Sequence, residues 1–207
     1  MSTQSISPFR TNQQREAERV AKREAVLSAA VDLFNEHGFS GTSLDDVAAR
    51  LGVTKPVIYH YLGTKEQVLL ECLGRGLAAL EEAAHEAQAD HRRGADRLRA
   101  FLIRYAEINM APFGRSVVLT ADHELSAEAL TQFRAMKRRV DDALRRLIVA
   151  GADDGSLRIE DPALAAAALA GAINWIPRWQ DPDGSLPPRE VAARLVSVLM
   201  DGMLRRA

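Results

Sequence analysis

The stretch Thr42-Ser-Leu-Asp-Asp-Val-Ala-Ala-Arg-Leu-Gly-Val-Thr-Lys-Pro-Val-Ile-Tyr-His-Tyr-Leu62 decides how this chain is read. It holds two short helical phrases divided by one glycine. Thr42 or Ser43 can cap the first phrase, and Asp45 or Asp46 stands at the spacing of a capping box, with Asp in place of Glu. Leu44 to Arg50 then sets Leu44, Val47 and Ala48, with Leu51, on one helical face. Gly52 breaks the run. Thr54 or Lys55 caps the second helix, expected over about Pro56 to Tyr61. Pro56 falls in its first turn, where a missing N–H costs little. Ile58 and Tyr61 point one way; Lys55, Val57, Tyr59 and His60 point elsewhere.

A short helix, a glycine-containing turn and a second short helix form a helix-turn-helix pattern. Its second helix suits the major groove of B-DNA. Thr42, Ser43 and Thr54 put hydroxyls and free backbone N–H groups at helix starts, where phosphate oxygens are favoured. Tyr59, His60 and Lys65 can donate to phosphates. Lys55 can bond guanine, and Val57 can touch a thymine methyl. Taken alone, the same pattern also suits a tight hairpin inside an ordinary core.

Outward from this segment the chain reads as all-α. Upstream, Ala17, Val20, Ala21, Val26, Leu27, Ala30, Val31 and Phe34 recur at helical spacing from Arg15 to His37, and Gly38 closes the helix. Residues 1–13 are polar and read as a flexible arm, with neither a signal peptide nor a membrane span. Downstream, helices are expected over Lys65 to Asp90, Asp96 to Met110, Gly114 to His123, Ser126 to Ala150, Pro162 through Trp175, and Pro188 to about Arg205. The total is roughly nine. The hydrophobic share of 47% supports a sizeable core, and the formal net charge of -1 rules out a generic basic coat for nucleic acid. Residues 1–65 carry eight Lys and Arg against seven Asp and Glu, so any contact with DNA depends on local geometry. Cys72 is the only cysteine, which excludes an internal disulfide and a cysteine-based metal site and fits a reducing cytoplasm. Cys72 itself reads as a packing residue. The run Asp122-His123-Glu124 reads as capping or surface rather than metal binding, since adjacent helical residues do not face one point. No nucleophile elbow, phosphate loop or zinc motif is present, so neither an enzyme nor a metal cofactor is expected; the other class kept open is a helical scaffold without DNA contact.

The phrases Phe34 to Ala48 and Leu51 to Leu69 resemble the DNA-binding domain of TetR-family regulators. The resemblance spans about residues 15 to 70. It implies a three-helix head over residues 14–64 and a body of about six helices over residues 65–207, the body binding a ligand and forming a homodimer. It also implies a repressor acting on a pseudo-palindromic double-stranded DNA operator. By the same resemblance Tyr59 and Lys65 grip phosphates, Thr42 begins a phosphate-contacting helix, and Lys55, Pro56 and His60 lie on the recognition helix. The family commonly has Gly or Thr where this chain has Pro56-Val57, so base preference does not transfer.

In the body, Ala167 and Gly171 allow close helix approach, and Leu195, Leu199 and Met203 lie on an apolar face of the last helix; these are the expected dimer residues. Phe101, Tyr105, Ile108, Phe113, Val117, Phe133 and Met136 are the expected pocket lining, with plain core as the competing role. The segment Gly171 to Gly184 resembles one in TetR-type regulators of fatty-acid and sterol degradation that respond to acyl-CoA thioesters, although Tyr is common there at the position of Gln180. On that resemblance Asn174, Trp175, Arg178 and Trp179 join the ligand site, and the effector is a small apolar or acyl-CoA-type molecule. Two alternatives stand beside it. The Trp pair can instead seal a dimer contact, or the effector can be a lipophilic or aromatic compound of the efflux and xenobiotic-response kind.

Overall fold

The computed structural model describes residues 12–202, and every regular element among them is helical. The elements are α1 (Asn12–His37), α2 (Leu44–Leu51), α3 (Lys55–Leu62), α4 (Lys65–Ala89), α5 (Gly94–Met110), α6 (Pro112–Leu119), α7 (Ala127–Asp153), α8 (Pro162–Asn174), α9 (Ile176–Trp179) and α10 (Pro188–Asp201). A 3-10 turn at Asp122–Glu124 joins α6 to α7, and α9 is a single turn. Asn12 and Gln13, expected in the arm, already belong to α1. The rest of the arm and Met203 lie outside the described residues.

Only the second half of α1 is inside. Its buried residues begin at Val26, and Val20, expected on the apolar stripe, is 48% exposed. The exposed first half is tied down by charge. Arg23 pairs with Glu71, Arg75 pairs with Glu24, and Arg75 reaches Glu71 at 3.4 Å, so four charges of alternating sign link α1 to α4.

Helices α1 to α3 pack together as a head around Leu27, Val31, Phe34, Val47 and Ile58. The body is built on α4, which packs against α5, α6 and α7, while α8 lies on α7 and α10 on α5. Its centre holds Leu69, Leu73, Leu80, Phe101, Leu102, Phe133, Leu144, Leu147, Ile148 and Ile173. Gly76 is where α6 crosses α4. A Cβ there would lie 2.6 Å from the Phe113 carbonyl oxygen and 2.8 Å from Val117 Cγ2, so only glycine permits this approach. Head and body meet at α6 and α4: Asn35 Nδ2 of α1 donates to the Pro112 carbonyl at 2.9 Å, and Arg75 of α4, paired with Glu24 of α1, lays its guanidinium over the Phe113 ring at 5.4 Å. Asp154 closes the far end of α7 onto α5. The Ser156 side chain, then the Gly94 and Ser156 backbone N–H groups, hold its pKa down to about 2; the two N–H groups donate to its carboxylate at 2.6 and 2.9 Å.

Candidate nucleic-acid interface and effector cavity

Local chemistry fixes the α2–turn–α3 unit. Ser43 caps α2: its Oγ accepts from the Asp46 N–H at 3.1 Å, while the Ser43 N–H donates to Asp46 Oδ2 at 2.7 Å. This is the reciprocal box read from the sequence, formed by the second of each candidate pair. The Ser43 hydroxyl also donates to Asp46 Oδ2 at 2.7 Å, and this bond, then the one from the Ser43 N–H, lowers the Asp46 pKa. Gly52 ends α2 at φ 65°, in the left-handed region, and the chain turns through Val53 into α3. Thr54 stands at the α3 N-cap without a side-chain capping bond, and Pro56 takes the first turn.

An eight-residue helix does not hold its shape alone. Ile58 and Leu62 are buried against the head and anchor α3. The helical period then turns Lys55, Pro56, Tyr59 and His60 outward. Tyr59 is 47% exposed. Lys55 Nζ donates to Asp45 Oδ2 of α2 at 2.8 Å, which raises the lysine pKa, and lies 5.9 Å from the Tyr59 ring centroid. Pro56, Val57 and His60 border an open apolar groove of about 600 Å³ toward Lys22 and Val26 of α1. His60 and Tyr61 meet edge to face at 5.1 Å. Lys65, at the start of α4, lies with Nζ 4.1 Å from the Phe39 ring centroid, and partial burial lowers its pKa. Thr42 departs from expectation. It is buried, and its hydroxyl donates to the carbonyls of Leu33 at 3.1 Å and Gly38 at 2.9 Å, which pins the end of α1. Its hydroxyl is therefore spent inside the head, and Ser43, Thr54, Lys55, Tyr59, His60 and Lys65 carry the polar surface.

In the body a cavity of about 270 Å³ opens between α4, α5, α6, α7 and α8. Its apolar walls are Leu77, Leu80, Val117, Val118 and Val140. Tyr105, Asn109 and Asn174 form one polar wall, with Thr120, Lys137 and Asp141 also lining it. Burial pushes the Tyr105 phenol up to about 12, with the Asp141 charge adding and the Asn174 amide opposing, so the phenol is neutral. Of the expected pocket residues Tyr105, Val117 and Asn174 line this cavity. Phe101, Ile108 and Phe133 are buried elsewhere in the core, Phe113 packs on Arg75, and Met136 borders α4 at Gly74. Trp175, Arg178 and Trp179 are on the outside. The reason is that α8 stops at Asn174 rather than running through Trp175. Ile173, Ile176 and Pro177 take the inward positions around the break, which turns the two indoles and the guanidinium away. The sequence reading missed Asn109, Lys137 and Asp141. Asn109 carried one available signal, a polar residue on the apolar face that includes Tyr105 and Leu102.

Sequence comparison bears on both halves of the molecule. The profile of the bacterial regulatory proteins of the tetR family matches residues 26–72, and that of the tetracyclin repressor-like C-terminal domain matches residues 91–203. The chain belongs to the TetR family. It is a DNA-binding transcription regulator, not an enzyme. TetR relatives include the HTH-type transcriptional repressor KstR2 of Rhodococcus jostii, 25% identical over 185 residues, covering 88% of this chain and 91% of the relative. The TetR-family regulator PfmR of Thermus thermophilus has the same fold, with TM-score 0.79 and 31% identity over 87% of this chain and 99% of PfmR. AibR, solved with isovaleryl coenzyme A and operator DNA, superposes with TM-score 0.75 at 27% identity over 86% of this chain and 98% of AibR.

This TetR chain also leaves an apolar outer face. Along α8 and α9, Leu164 is 68% exposed, Trp175 59% and Trp179 52%, with Ala167 and Gly171 on the same exposed side. Arg178 lies over the Trp175 ring at 5.2 Å. On α10, Val198 is exposed while Leu195 and Leu199 are half-buried. Among the described residues no helix is long and apolar enough to cross a membrane, and no cluster of metal-binding side chains occurs.

Proposed function

We propose that this TetR-family regulator is a cytoplasmic homodimeric repressor that binds a pseudo-palindromic operator through paired α3 helices and is released by a small effector. The observation that carries the DNA reading is the orientation of α3: Ile58 and Leu62 are its anchors, and Lys55, Tyr59 and His60 face solvent. Ser43, Thr54 and Lys65 supply phosphate contacts around it, and Lys55, Pro56 and Val57 lie where base edges are read. Lys55 changes partner from Asp45 to the nucleic acid, an exchange that costs little because the pair is exposed.

The exposed face of α8, α9 and α10 supports dimerisation. Exposed large apolar side chains such as Leu164, Trp175, Trp179 and Val198 favour a contact site, and the faces of both subunits meet in a helical bundle through Ala167, Gly171, Leu195 and Leu199. The dimer sets two α3 helices at successive major grooves, about 34–36 Å apart. The cavity supports effector control, because its α6 wall is tied to the head directly by Asn35 and through the Glu24–Arg75 pair that lies on Phe113. An effector that fits the cavity only when α6 is displaced favours the other spacing of the two heads, and differential affinity is what shifts the equilibrium. AibR with isovaleryl coenzyme A supports a short acyl-CoA as one effector class. A cavity of about 270 Å³ takes the acyl end of such a molecule and leaves the nucleotide outside.

The test is an electrophoretic mobility shift with promoter DNA of the chain's own gene and of its neighbours, with and without short acyl-CoAs. A retarded dimer complex that the effector dissolves supports the proposal. Absence of any complex at moderate salt, or a protein that stays monomeric at every concentration, contradicts it.

A further inference from the structure

A polar ladder runs along the wall of the body cavity and ends on an unpaired oxygen. Tyr105, Asn174 and Asn109 stand in sequence along its wall. The Asn174 amide interacts with the Tyr105 phenol, and Asn109 Nδ2 donates to Asn174 Oδ1 at 3.0 Å. Asn109 is fully buried, at 0% exposure, and its Oδ1 has no hydrogen-bond partner. A buried amide oxygen left unpaired is costly, and natural interiors fill such positions with protein, water or ligand. The ladder itself is uncharged, since Tyr105 is neutral. The two charged lining residues are of opposite sign, with Asp141 exposed and Lys137 half-buried.

We propose that the effector opens the wall at Asn109, whose Oδ1 is sealed in the free protein, and places a neutral hydrogen-bond donor, an amide N–H or a hydroxyl, against it, with its apolar part between Leu77, Leu80, Val117 and Val140. This inference rests on the effector reading above and narrows it. A bare hydrocarbon or a carboxylate anion leaves the oxygen unpaired. An acyl-CoA meets the requirement only through an amide N–H of its pantetheine arm. Asn109 is here a specificity residue; it fixes the ligand's polar end rather than its length.

Isothermal titration of the full-length protein with hexanamide, N-methylhexanamide, N,N-dimethylhexanamide and hexanoate tests this. The first two carry an N–H and the last two do not, while the chain is constant. The N–H amides are expected to bind about tenfold more tightly than the dimethyl amide and hexanoate, the Kd ratio that one bond to a buried acceptor carries. In Asn109→Leu the ratio collapses to about one. If that variant does not fold, the series on the unaltered protein decides by itself. Equal or tighter binding of the dimethyl amide, a ratio unchanged in a folded Asn109→Leu, or no binding of any amide up to its solubility overturns the proposal. Hexanoyl-CoA run in parallel distinguishes sources once the ratio is established: Asn109-dependent binding assigns the donor to the pantetheine arm, and its absence assigns it to a free small molecule. DNA binding measured on the same sample is a separate readout, so a protein that selects N–H amides but binds no operator refutes the repressor and leaves this inference standing.

Discussion

Two glycines two residues apart on α4 respond oppositely to the same substitution. At Gly74 an added Cβ meets only the Met136 sulfur, at 3.9 Å, an ordinary contact. Gly74→Ala then gains the helix propensity of alanine, about 1 kcal/mol, and raises the melting temperature by about 2–4 °C for a chain of this size. At Gly76 the same atom lies 2.6 Å from the Phe113 carbonyl oxygen and 2.9 Å from its carbon, against about 3.4 Å for ordinary contact. Helix α6 must recede by about the difference, 3.4 minus 2.6 or 0.8 Å, and the contacted atoms are backbone that cannot rotate away. Overpacking of that kind costs about 1–3 kcal/mol. It offsets the same propensity gain and leaves Gly76→Ala up to about 2 kcal/mol less stable, with the melting temperature down by as much as about 8 °C. Thermal unfolding by circular dichroism reads both signs. Because α6 carries Val117 and Pro112, Gly76→Ala also changes effector affinity, whereas Gly74→Ala does not. Melting shifts of the same sign in the two variants would refute the close crossing of α4 and α6.

Further outcomes follow from the charges and the buried thiol. Asp45→Asn frees Lys55 and removes an anion beside the DNA-facing surface, so fluorescence anisotropy should report tighter operator binding, most clearly at low salt. Cys72, fully buried and pushed up to about 12 by burial with the Glu71 charge adding, should resist alkylation by iodoacetamide at pH 8 in the native protein and react once it is unfolded in guanidinium. The Asp154 pKa is depressed from 3.8 to about 2, so its stabilising contribution is complete above about pH 4 and is lost as pH falls through about 2. The melting temperature of Asp154→Asn should therefore fall less steeply between pH 4 and 2 than that of the unaltered protein, and a parallel fall would contradict this account of the α5–α7 closure.

The helical order was legible because its punctuation is local. Gly38, Ser43 with Asp46, Gly52 and Pro56 each act within one turn of the chain, and the helices begin and end beside them. The outward face of α3 followed from the same short-range period. What escaped the sequence depends on packing between distant segments. Thr42 looked like a free capping hydroxyl, but its partners are the carbonyls that end α1. Asn109 and Asn174 are 65 residues apart, and nothing in either neighbourhood announces the bond between them. Phe101 and Phe133 have the composition of a pocket and the burial of a core, which periodicity does not distinguish. The Trp175–Trp179 segment was misplaced for a subtler reason: one residue of break between α8 and α9 changes which side chains face inward.

The central claim is that paired α3 helices read DNA. Selection of duplexes from a random-sequence library by the full-length protein, with the Tyr59→Ala, Lys55→Ala double variant in parallel, tests it most directly. The expected result is enrichment of an inverted repeat whose half-sites are centred about 10–10.5 base pairs apart, or a multiple of that, and no enrichment by the folded variant. A library that stays unenriched, or the same motif recovered by both proteins, would contradict it.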